Sequence, residues 1–456
     1  MKIGIVSLIV YIALIFVLNI GLKRKMAEAL MWSFFALVII SFVFGGKNPA
    51  VMFLTGVVTV VKQEVTFAVI AFMIMSLLMA ETGIMGRLIK ILNHIFGRIP
   101  GGPAYVSTIA SALFGMVSGS GSGNSSSVGS ITIPWMVESG FSKERATMIV
   151  AGNAGLGVVF PPSSSMLLLL GMEVVRESVS SNSLYIALMF TGLIVLVYRL
   201  LLTFLYVKKD KIRATVSDGK AFSEVFKENG SSLLLFLGII IPLFVQMGPL
   251  ATIIKTRLNA NLEGSYDSIS LVVWIPIMMT IFVIIEGWSR LPHSFKGWSE
   301  LLGKTIVKCA DAGIIVFAIA SVGVLNRIGM QQEFVELFTS ISGVAPIVLI
   351  LAIALLMTLM VGPFSATAST TAMGAVCYSA LVSIGVSPLA ACTAFLLLAS
   401  NEGCVPPNSA PIYIASGIAG LDEPFKTFKN LLLHYALPVV LIAILIMCKI
   451  LPVFGA

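Results

Sequence analysis

The sequence predicts an all-α integral membrane protein built from two inverted repeats. Apolar residues make up 58% of its 456 positions and charged residues only 11%, which is too little polar surface for a water-soluble protein. Apolar runs of about 20 residues, the length that crosses a bilayer, recur along the chain. Two stretches 245 residues apart also resemble each other. Together these observations predict about ten membrane crossings arranged around a duplicated unit.

The repeat is clearest over residues 115–171, which align without a gap to the segment 245 positions later. Matched identities include Ser120 with Ser365, Gly129 with Gly374, and the Pro-Pro pairs at 161–162 and 406–407. Weaker similarity extends the repeat over roughly 66–172 and 311–417.

Five regions follow from this alignment. We expect scaffold spans and an interfacial segment over 1–65, a first repeat over 66–183, scaffold spans and basic inner loops over 184–310, a second repeat over 311–417 and a C-terminal span over 418–456. Continuous spans are predicted at 4–21, 29–45, 66–82, 184–206, 232–252, 269–286, 311–327 and 430–452. Amphipathic stretches at 84–97 and 330–342 are predicted to brace the repeats as arms.

Each repeat also holds two interrupted elements. Apolar runs at 103–117 and 125–137 are too short to cross and are joined by a Ser/Gly-rich tip at 118–124, which predicts a re-entrant hairpin over 103–137. The next run, 143–177, contains several glycines and a Pro-Pro pair that cannot continue a helix, so we expect a broken helix there. The second repeat has the same parts, a hairpin over 346–384 with its tip at 362–367 and a broken helix over 387–417.

The crossing count and the basic residues predict the topology. Five predicted crossings separate the starts of the two repeats, and an odd number makes them enter from opposite faces, as inverted repeats do. With both termini outside the cytoplasm, the inner segments hold 20 Lys and Arg and the outer segments eight. Because cytoplasmic loops carry the positive excess, this orientation is favoured. The net charge of +8 reflects that bias rather than a nucleic-acid-binding surface.

A Ser/Gly tip beside a broken helix gathers hydroxyls and unpaired carbonyls near the bilayer midplane, and such oxygens bind hard cations such as Na⁺. We therefore expect one ion site in each repeat. Predicted ligands of the first are Ser118, Ser120, Asn124, Asn153, Gly155 and Val158. Those of the second are Gly362, Ser365, Thr367, Ser400, Asn401, Glu402 and Cys404. A substrate is expected between the two sites, near Ser125, Ser163, Thr370 and Asn408.

Two charged residues lie within predicted membrane segments. Glu402 stands at the second break, where a carboxyl suggests an ion or proton site, although a solvent-facing position is the alternative. Arg199 lies late in its span and is expected to extend to the inner surface. Serine and glycine are also frequent wherever membrane helices pack closely, so packing is the alternative for each tip residue.

Catalytic and metal-binding patterns are weak in this sequence. The three His and five Cys are scattered, and no nucleophile-base pairing stands out, so neither an enzyme nor a transition-metal site is predicted. No cofactor is expected other than a coupling ion, with the choice between Na⁺ and H⁺ left open.

Several motifs resemble the large permease subunit of tripartite ATP-independent periplasmic (TRAP) transporters. They are GRIPGG at 97–102, ASALFGMVSGS at 110–120, GSITIP at 129–134 and GVVFPPS at 157–163, and the second repeat carries weaker versions. The order and spacing match through the first repeat. At the tips the family often carries an Asp where Asn124 stands and another near Ala366.

The resemblance implies a Na⁺-driven symporter that takes up small organic acids by an elevator movement. It also implies an inner-membrane location and two partners, a small four-span membrane subunit and a secreted substrate-binding protein. The alternative is a stand-alone cation- or proton-coupled secondary transporter of the same architecture that works without a binding protein.

Overall fold

Helices account for the regular secondary structure of the described chain. The computed structural model describes the protein except at residues 1–2, 23, 25, 63, 98, 119–120, 214–220, 247, 258–270, 331, 334–335, 337–344, 406–408 and 456. The predicted arm at 330–342 therefore lies mostly outside the described residues.

The first repeat region is preceded by a short helical scaffold. This scaffold consists of α1 (Ile3–Phe16), α2 (Met26–Val43) and α3 (Pro49–Lys62), and the first repeat region then begins with α4 (Glu64–Thr82) and α5 (Ile84–Phe96). The hairpin and broken segment follow as α6 (Gly102–Ser118), α7 (Gly121–Glu138), α8 (Lys143–Asn153), α9 (Leu156–Val159), α10 (Ser164–Leu170) and α11 (Glu173–Arg176).

The second half contains the same order of a long helix, a hairpin and a broken helix. Between the halves lie α12 (Ser181–Lys209), α13 (Phe222–Asn229), α14 (Leu237–Gln246), α15 (Gly248–Arg257) and α16 (Leu271–Gly287). The remaining helices are α17 (Phe295–Arg327), α18 (Pro346–Ser383), α19 (Pro388–Ala399), α20 (Ala410–Ala419), α21 (Phe425–Leu431) and α22 (Leu437–Met447). One 3₁₀ turn, Ser400–Gly403, follows α19 directly.

Serine caps mark where several of these helices begin. The Ser142 hydroxyl accepts a hydrogen bond from the Arg145 amide at 3.1 Å and caps α8. Ser180 caps α12 and Ser294 caps α17 in the same way. Such side chains satisfy backbone N–H groups that have no partner inside the helix.

The broken segments occupy the centre of the molecule. In the most apolar part of the Lys143–Leu170 stretch, 94% of residues are buried, and all residues of α19 except its first, Pro388, are buried too. Other helices expose large apolar side chains such as Ile39 and Leu201, each more than half exposed. Buried central helices surrounded by helices with apolar outer faces are the arrangement expected in a bilayer.

The helices pack as two groups, a central group and a scaffold group around it. Helix α17 packs against α2 and α3, and α16 packs against α4 and α14, which forms a scaffold group. Helices α7 and α8 pack against α20, and α18 packs against α19, so the hairpins and broken helices of both halves form one central group. Within the part of the chain that the structure describes, five helical stretches are long and apolar enough to cross a bilayer unaided, and the count of ten crossings stays a prediction.

The loops predicted at both hairpin tips are shorter in the structure. Helix α7 already begins at Gly121, so Asn124 lies in its first turn instead of in the tip. In the second hairpin, helical structure runs from Pro346 to Ser383 and is interrupted by the non-helical backbone of Ser365. Hydrogen bonding along the helix therefore extends further into each tip than the residue types suggested.

Candidate functional site

The first tip places two polar side chains in the protein interior. Asn124 is fully buried, and its Nδ2 donates hydrogen bonds to the carbonyls of Ser111 at 2.9 Å and Ala154 at 3.0 Å. The amide thereby joins the hairpin to the first break. Its Oδ1 has no partner among the described residues, and neither has the buried Ser125 hydroxyl. Ser120 lies outside the described residues, and the side chain of Ser118 is not described either.

The second tip turns at Ser365, whose φ of 69° and ψ of 162° belong to a region that is essentially restricted to glycine. Its hydroxyl accepts a long hydrogen bond of 3.5 Å from the Ala368 amide, so it also acts as a cap for the helix that follows. The neighbouring hydroxyl of Thr370 donates to the carbonyl of Ala366 at 2.7 Å. Strain held at a tip is typical of a functional position.

At the first break, hydrogen bonds engage part of the predicted oxygen set. Asn153 is fully buried and donates from Nδ2 to the Thr108 hydroxyl at 3.0 Å, which leaves Oδ1 without a described partner. The carbonyl of Gly155 accepts from the Val158 amide at 2.9 Å. The carbonyl of Val158 accepts from the Ser163 hydroxyl, which also caps α10. Because a carbonyl oxygen has two lone pairs, the carbonyls of Gly155 and Val158 can each still bind a cation.

The second break holds a buried amide without described partners. Asn401 is fully buried, and neither its Oδ1 nor its Nδ2 has a hydrogen-bond partner among the described residues. The Ser400 hydroxyl donates to the carbonyl of Leu397 at 2.6 Å, and the Cys404 thiol donates to the carbonyl of Gly152 at 3.3 Å. Asn408, a predicted substrate contact, lies outside the described residues.

The two breaks touch each other at equivalent positions of the repeat. Gly155 and Ser400 are 245 residues apart, and a Cβ on Gly155 would overlap the carbonyl of Ser400. Nearby, a Cβ on Gly403 would overlap the carbonyl of Ala151. Contact between equivalent residues means that the pseudo-two-fold axis of the repeats passes between the breaks.

Close backbone contacts also join each hairpin to the break of its own repeat. Gly115 and Gly157 meet backbone to backbone in the first repeat. In the second, a Cβ on Gly362 would approach the carbonyl of Val405 to 2.6 Å. Gly362, a predicted ion ligand, thus lies beside the second break. Small residues allow this approach, which larger side chains would prevent.

Glu402 is buried, not solvent-facing, and lies between the two tips. Its side chain is 5% exposed, and its Oε2 accepts a hydrogen bond from the Ala366 amide at 2.8 Å. The backbone N–H of Gly121 faces the same carboxyl, and a Cβ on Gly121 would overlap it. Its own carbonyl accepts from the Ser409 hydroxyl. The carboxyl therefore links both hairpins to the second break.

The expectation that Arg199 extends to the inner surface is wrong. Its side chain is 3% exposed, and its guanidinium lies 4.4 Å from the ring centre of Tyr435 and 3.9 Å, from Nη2, from the Cys404 sulfur. Nε and Nη1 have no partner among the described residues. The Tyr435 ring and the adjacent second break hold the guanidinium in place. In the sequence, the signal for a buried role was a charged residue within an apolar span.

Arg145 at the start of α8 and Tyr206 near the end of α12 continue this cluster. The Arg145 guanidinium lies 4.0 Å from the ring centre of Tyr206 and forms an ion pair with Asp210 at 2.7 Å. The Tyr206 and Tyr435 rings are 6.5 Å apart. The cluster thus connects the start of the first broken helix with the second break.

Comparison with known proteins identifies the family. The family model described as "Tripartite ATP-independent periplasmic transporter, DctM component" matches residues 5–453. This chain belongs to the TRAP transporter family. The permease is accordingly a multi-pass protein of the inner membrane, and the family and fold class predicted from the sequence are confirmed.

Individual relatives are distant. The sialic acid TRAP transporter large permease protein SiaM of Vibrio cholerae is 23% identical over 382 residues, 83% of each chain. The uncharacterized protein YgiK of Salmonella typhimurium is 26% identical over 192 residues, 40% of the permease and 43% of YgiK. The isethionate TRAP transporter permease protein DctMQ of Oleidesulfovibrio alaskensis is 36% identical over 93 residues, 20% of the permease and 15% of DctMQ. The permease thus spans less than half of the length of the last two.

Among solved structures, the Alcanivorax borkumensis YdaH transporter has a similar fold. The TM-score is 0.66 at 16% sequence identity, and the match covers 94% of the permease and 98% of the YdaH chain. At this identity the likeness shows the fold alone.

Proposed function

We propose that this chain is the membrane permease of a TRAP-type system that takes up a small organic acid, coupled to the inward movement of Na⁺. The observation that carries the proposal is the family match over 5–453, together with two hairpins and two breaks that meet on one axis. Relatives are named as C4-dicarboxylate, sialic acid and isethionate permeases, and their common feature is a small acidic solute.

Buried oxygens support the coupling to a cation. Asn124, Asn153 and Asn401 are each fully buried, and each has an Oδ1 without a hydrogen-bond partner among the described residues. An unsatisfied buried polar atom costs about 1–3 kcal/mol, so these oxygens are stabilised if an ion completes them. Amide and carbonyl oxygens suit a hard cation such as Na⁺.

The packing of the two helix groups supports an elevator movement. On the central group, Glu173 of α11 accepts a hydrogen bond at 3.1 Å from Asn326 at the end of α17 in the scaffold. Beside this contact, a cleft of about 710 Å³ lies between α3, α11 and α17, lined by Lys62, Arg176 and Arg327 among others. We propose that the central group slides past the scaffold and breaks this contact in each cycle.

Two partners complete the proposed system. A small four-span membrane subunit would extend the scaffold, and a secreted binding protein would deliver the acid to the outer face. The lipid bilayer surrounds the exposed apolar helix faces. Both termini are proposed to lie outside the cytoplasm, as the distribution of Lys and Arg predicts.

Uptake by reconstituted vesicles tests this function. The permease is assembled in proteoliposomes with the four-span subunit and the binding protein proposed above, and uptake of radiolabelled acids is measured under Na⁺, K⁺ or proton gradients. We expect uptake that requires both an inward Na⁺ gradient and the binding protein. Uptake driven by the permease alone would favour the stand-alone transporter, and uptake driven only by a proton gradient would contradict Na⁺ coupling.

A further inference from the structure

Glu402 is the one charged residue in the tips and breaks of both repeats. No Asp, Glu, Lys or Arg occurs in residues 115–126, 152–163 or 360–371, and Glu402 is alone in 398–409. Its counterpart 245 positions earlier is Gly157, which packs closely against Gly115 and has no side chain. A single carboxyl therefore serves two halves that are otherwise alike.

The carboxyl contacts equivalent residues of the two hairpins. Gly121 begins α7, and Ala366 begins the second half of α18 after the turn at Ser365; the two residues are 245 positions apart. The Ala366 amide donates to Oε2 at 2.8 Å, while Oε1 lies against the Gly121 backbone and has no hydrogen-bond partner among the described residues. The carboxyl thus lies close to the pseudo-two-fold axis.

This junction has the chemistry of an anion site. The first N–H groups of a helix have no partner inside the helix, and the helix dipole is positive at that end. Two such ends meet here, and their N–H groups favour a negative group over a cation, while burial opposes charge of either sign. The contacts of Glu402 with these helix starts are therefore those of a bound carboxylate.

We propose that the junction is a carboxylate-binding site that Glu402 fills from within the chain, and that the permease consequently selects acids with a single carboxylate over dicarboxylates. This inference rests on the proposed function. The two helix starts that could receive a second substrate carboxylate are already occupied, and a further negative group beside buried Glu402 is repelled. The coupling cations then balance one substrate charge rather than two.

Chemical rescue tests whether the junction binds carboxylates. The purified Glu402→Ala permease is unfolded thermally with added sodium acetate, acetamide or sodium chloride at equal concentration. We expect a lower Tm than in the wild type, which acetate alone raises by several degrees because acetate binds only the folded variant. The wild type should not respond to acetate beyond its response to chloride. No acetate effect on the variant, or an equal effect on the wild type, would overturn the proposal.

Competition in proteoliposomes tests the selectivity. The competing acids are matched in chain length, for example butyrate with succinate and pyruvate with malonate. Their competition is measured for uptake by the complete system or for binding to the purified permease. We expect the monocarboxylates to compete about tenfold or more better with the wild type. In Glu402→Gln, which keeps the shape but removes the charge, that ratio should fall severalfold. This isosteric variant also serves if Glu402→Ala does not fold.

Controls separate the two proposals. Glu300→Gln removes an exposed carboxylate at the beginning of α17 and should leave the selectivity unchanged. If dicarboxylates compete for the wild-type permease as well as monocarboxylates do, or better, the inference is overturned and the proposed function still stands. Failure of every acid, with wild type and variant alike, would contradict the proposed function and the inference with it.

Discussion

At the scale of single residues, the site combines buried polar atoms that lack partners with side chains that are fully engaged. Ser163 caps a helix and Thr370 bonds to its own helix backbone, so packing accounts for both hydroxyls. The side-chain amide of Asn401 and the Nε and Nη1 atoms of Arg199 have no hydrogen-bond partner within the described chain. Unsatisfied groups are costly, and these two therefore mark the positions where substitution is most informative.

Replacing Asn401 with leucine should remove a Na⁺ effect without weakening the fold. Leucine has a similar volume and no polar atom, so the cost of the unsatisfied amide, about 1–3 kcal/mol, disappears. We expect NaCl to raise the Tm of the wild type more than KCl does, and the difference to vanish in Asn401→Leu. Asn229→Leu, at a buried amide that bonds to the Val225 carbonyl, should retain it. A persistent Na⁺ effect in Asn401→Leu would exclude that amide as an ion ligand.

Arg199→Met should keep or raise the Tm of the permease. A buried cation without a counter-ion costs several kcal/mol, and methionine fills similar space without that cost. The matched change Arg145→Met leaves Asp210 without its ion pair and should lower the Tm. Thermal unfolding of both purified variants, compared with the wild type, measures these changes in Tm. A marked fall in Tm for Arg199→Met would show that contact with the Tyr435 ring outweighs the burial of the charge.

At the scale of elements, glycine determines how closely the broken helices approach each other. Positions 152, 155 and 157 allow backbone or ring contacts that no Cβ could share. The serine-capped starts of α8 and α10 then define where each half of the first broken helix begins. Contact geometry at the centre therefore follows from residue size rather than from hydrophobicity.

Gly155→Ala should destabilise the permease by about 1–3 kcal/mol, because the new Cβ overlaps the carbonyl of Ser400 and the two breaks must separate. Gly417→Ala in α20 is the matched control, since no atom lies within 4 Å of its Cβ. That change should be neutral or stabilising by up to about 1 kcal/mol, as alanine favours the helix. Equal Tm values for the two variants would contradict the close contact of the breaks.

At the scale of the whole molecule, the odd number of crossings predicted between the two repeats leads us to expect that the two hairpins enter the membrane from opposite faces. The central group contains both hairpins and both breaks, and the scaffold packs around it. A polar contact between Glu173 and Asn326 joins the two groups at one end. The topology of the repeats and the movement of the central group past the scaffold can therefore be measured separately.

Single cysteines should be labelled from opposite faces of the membrane. We expect a cysteine at exposed Arg213 to react with an impermeant thiol reagent only from the cytoplasm, and one at exposed Ala345 only from outside. The unmodified chain controls for its five native cysteines. Labelling of both positions from one face would contradict inverted repeats.

A crosslink between α11 and α17 should stop transport. Cysteines replacing Glu173 and Asn326, whose side chains lie within hydrogen-bond distance, can be joined by a short bifunctional reagent. We expect uptake to fall by about tenfold or more and to recover when a cleavable linker is reduced, because the central group must move past the scaffold. Each single-cysteine variant, treated alike, should keep its activity. Full uptake by the crosslinked permease would exclude sliding at this boundary.

By itself, the sequence determined the helical membrane class, the family, the duplicated hairpins and the positions of the breaks, because apolar run length, glycine, proline and the repeat are properties of neighbouring residues. Only the tertiary structure decided that Gly155 meets Ser400, that Glu402 lies between Gly121 and Ala366, and that Arg199 is buried against Tyr435. The contact of Glu402 with Ala366 spans 36 positions, and the others join residues more than 200 positions apart, so only the packing of whole helices brings them together.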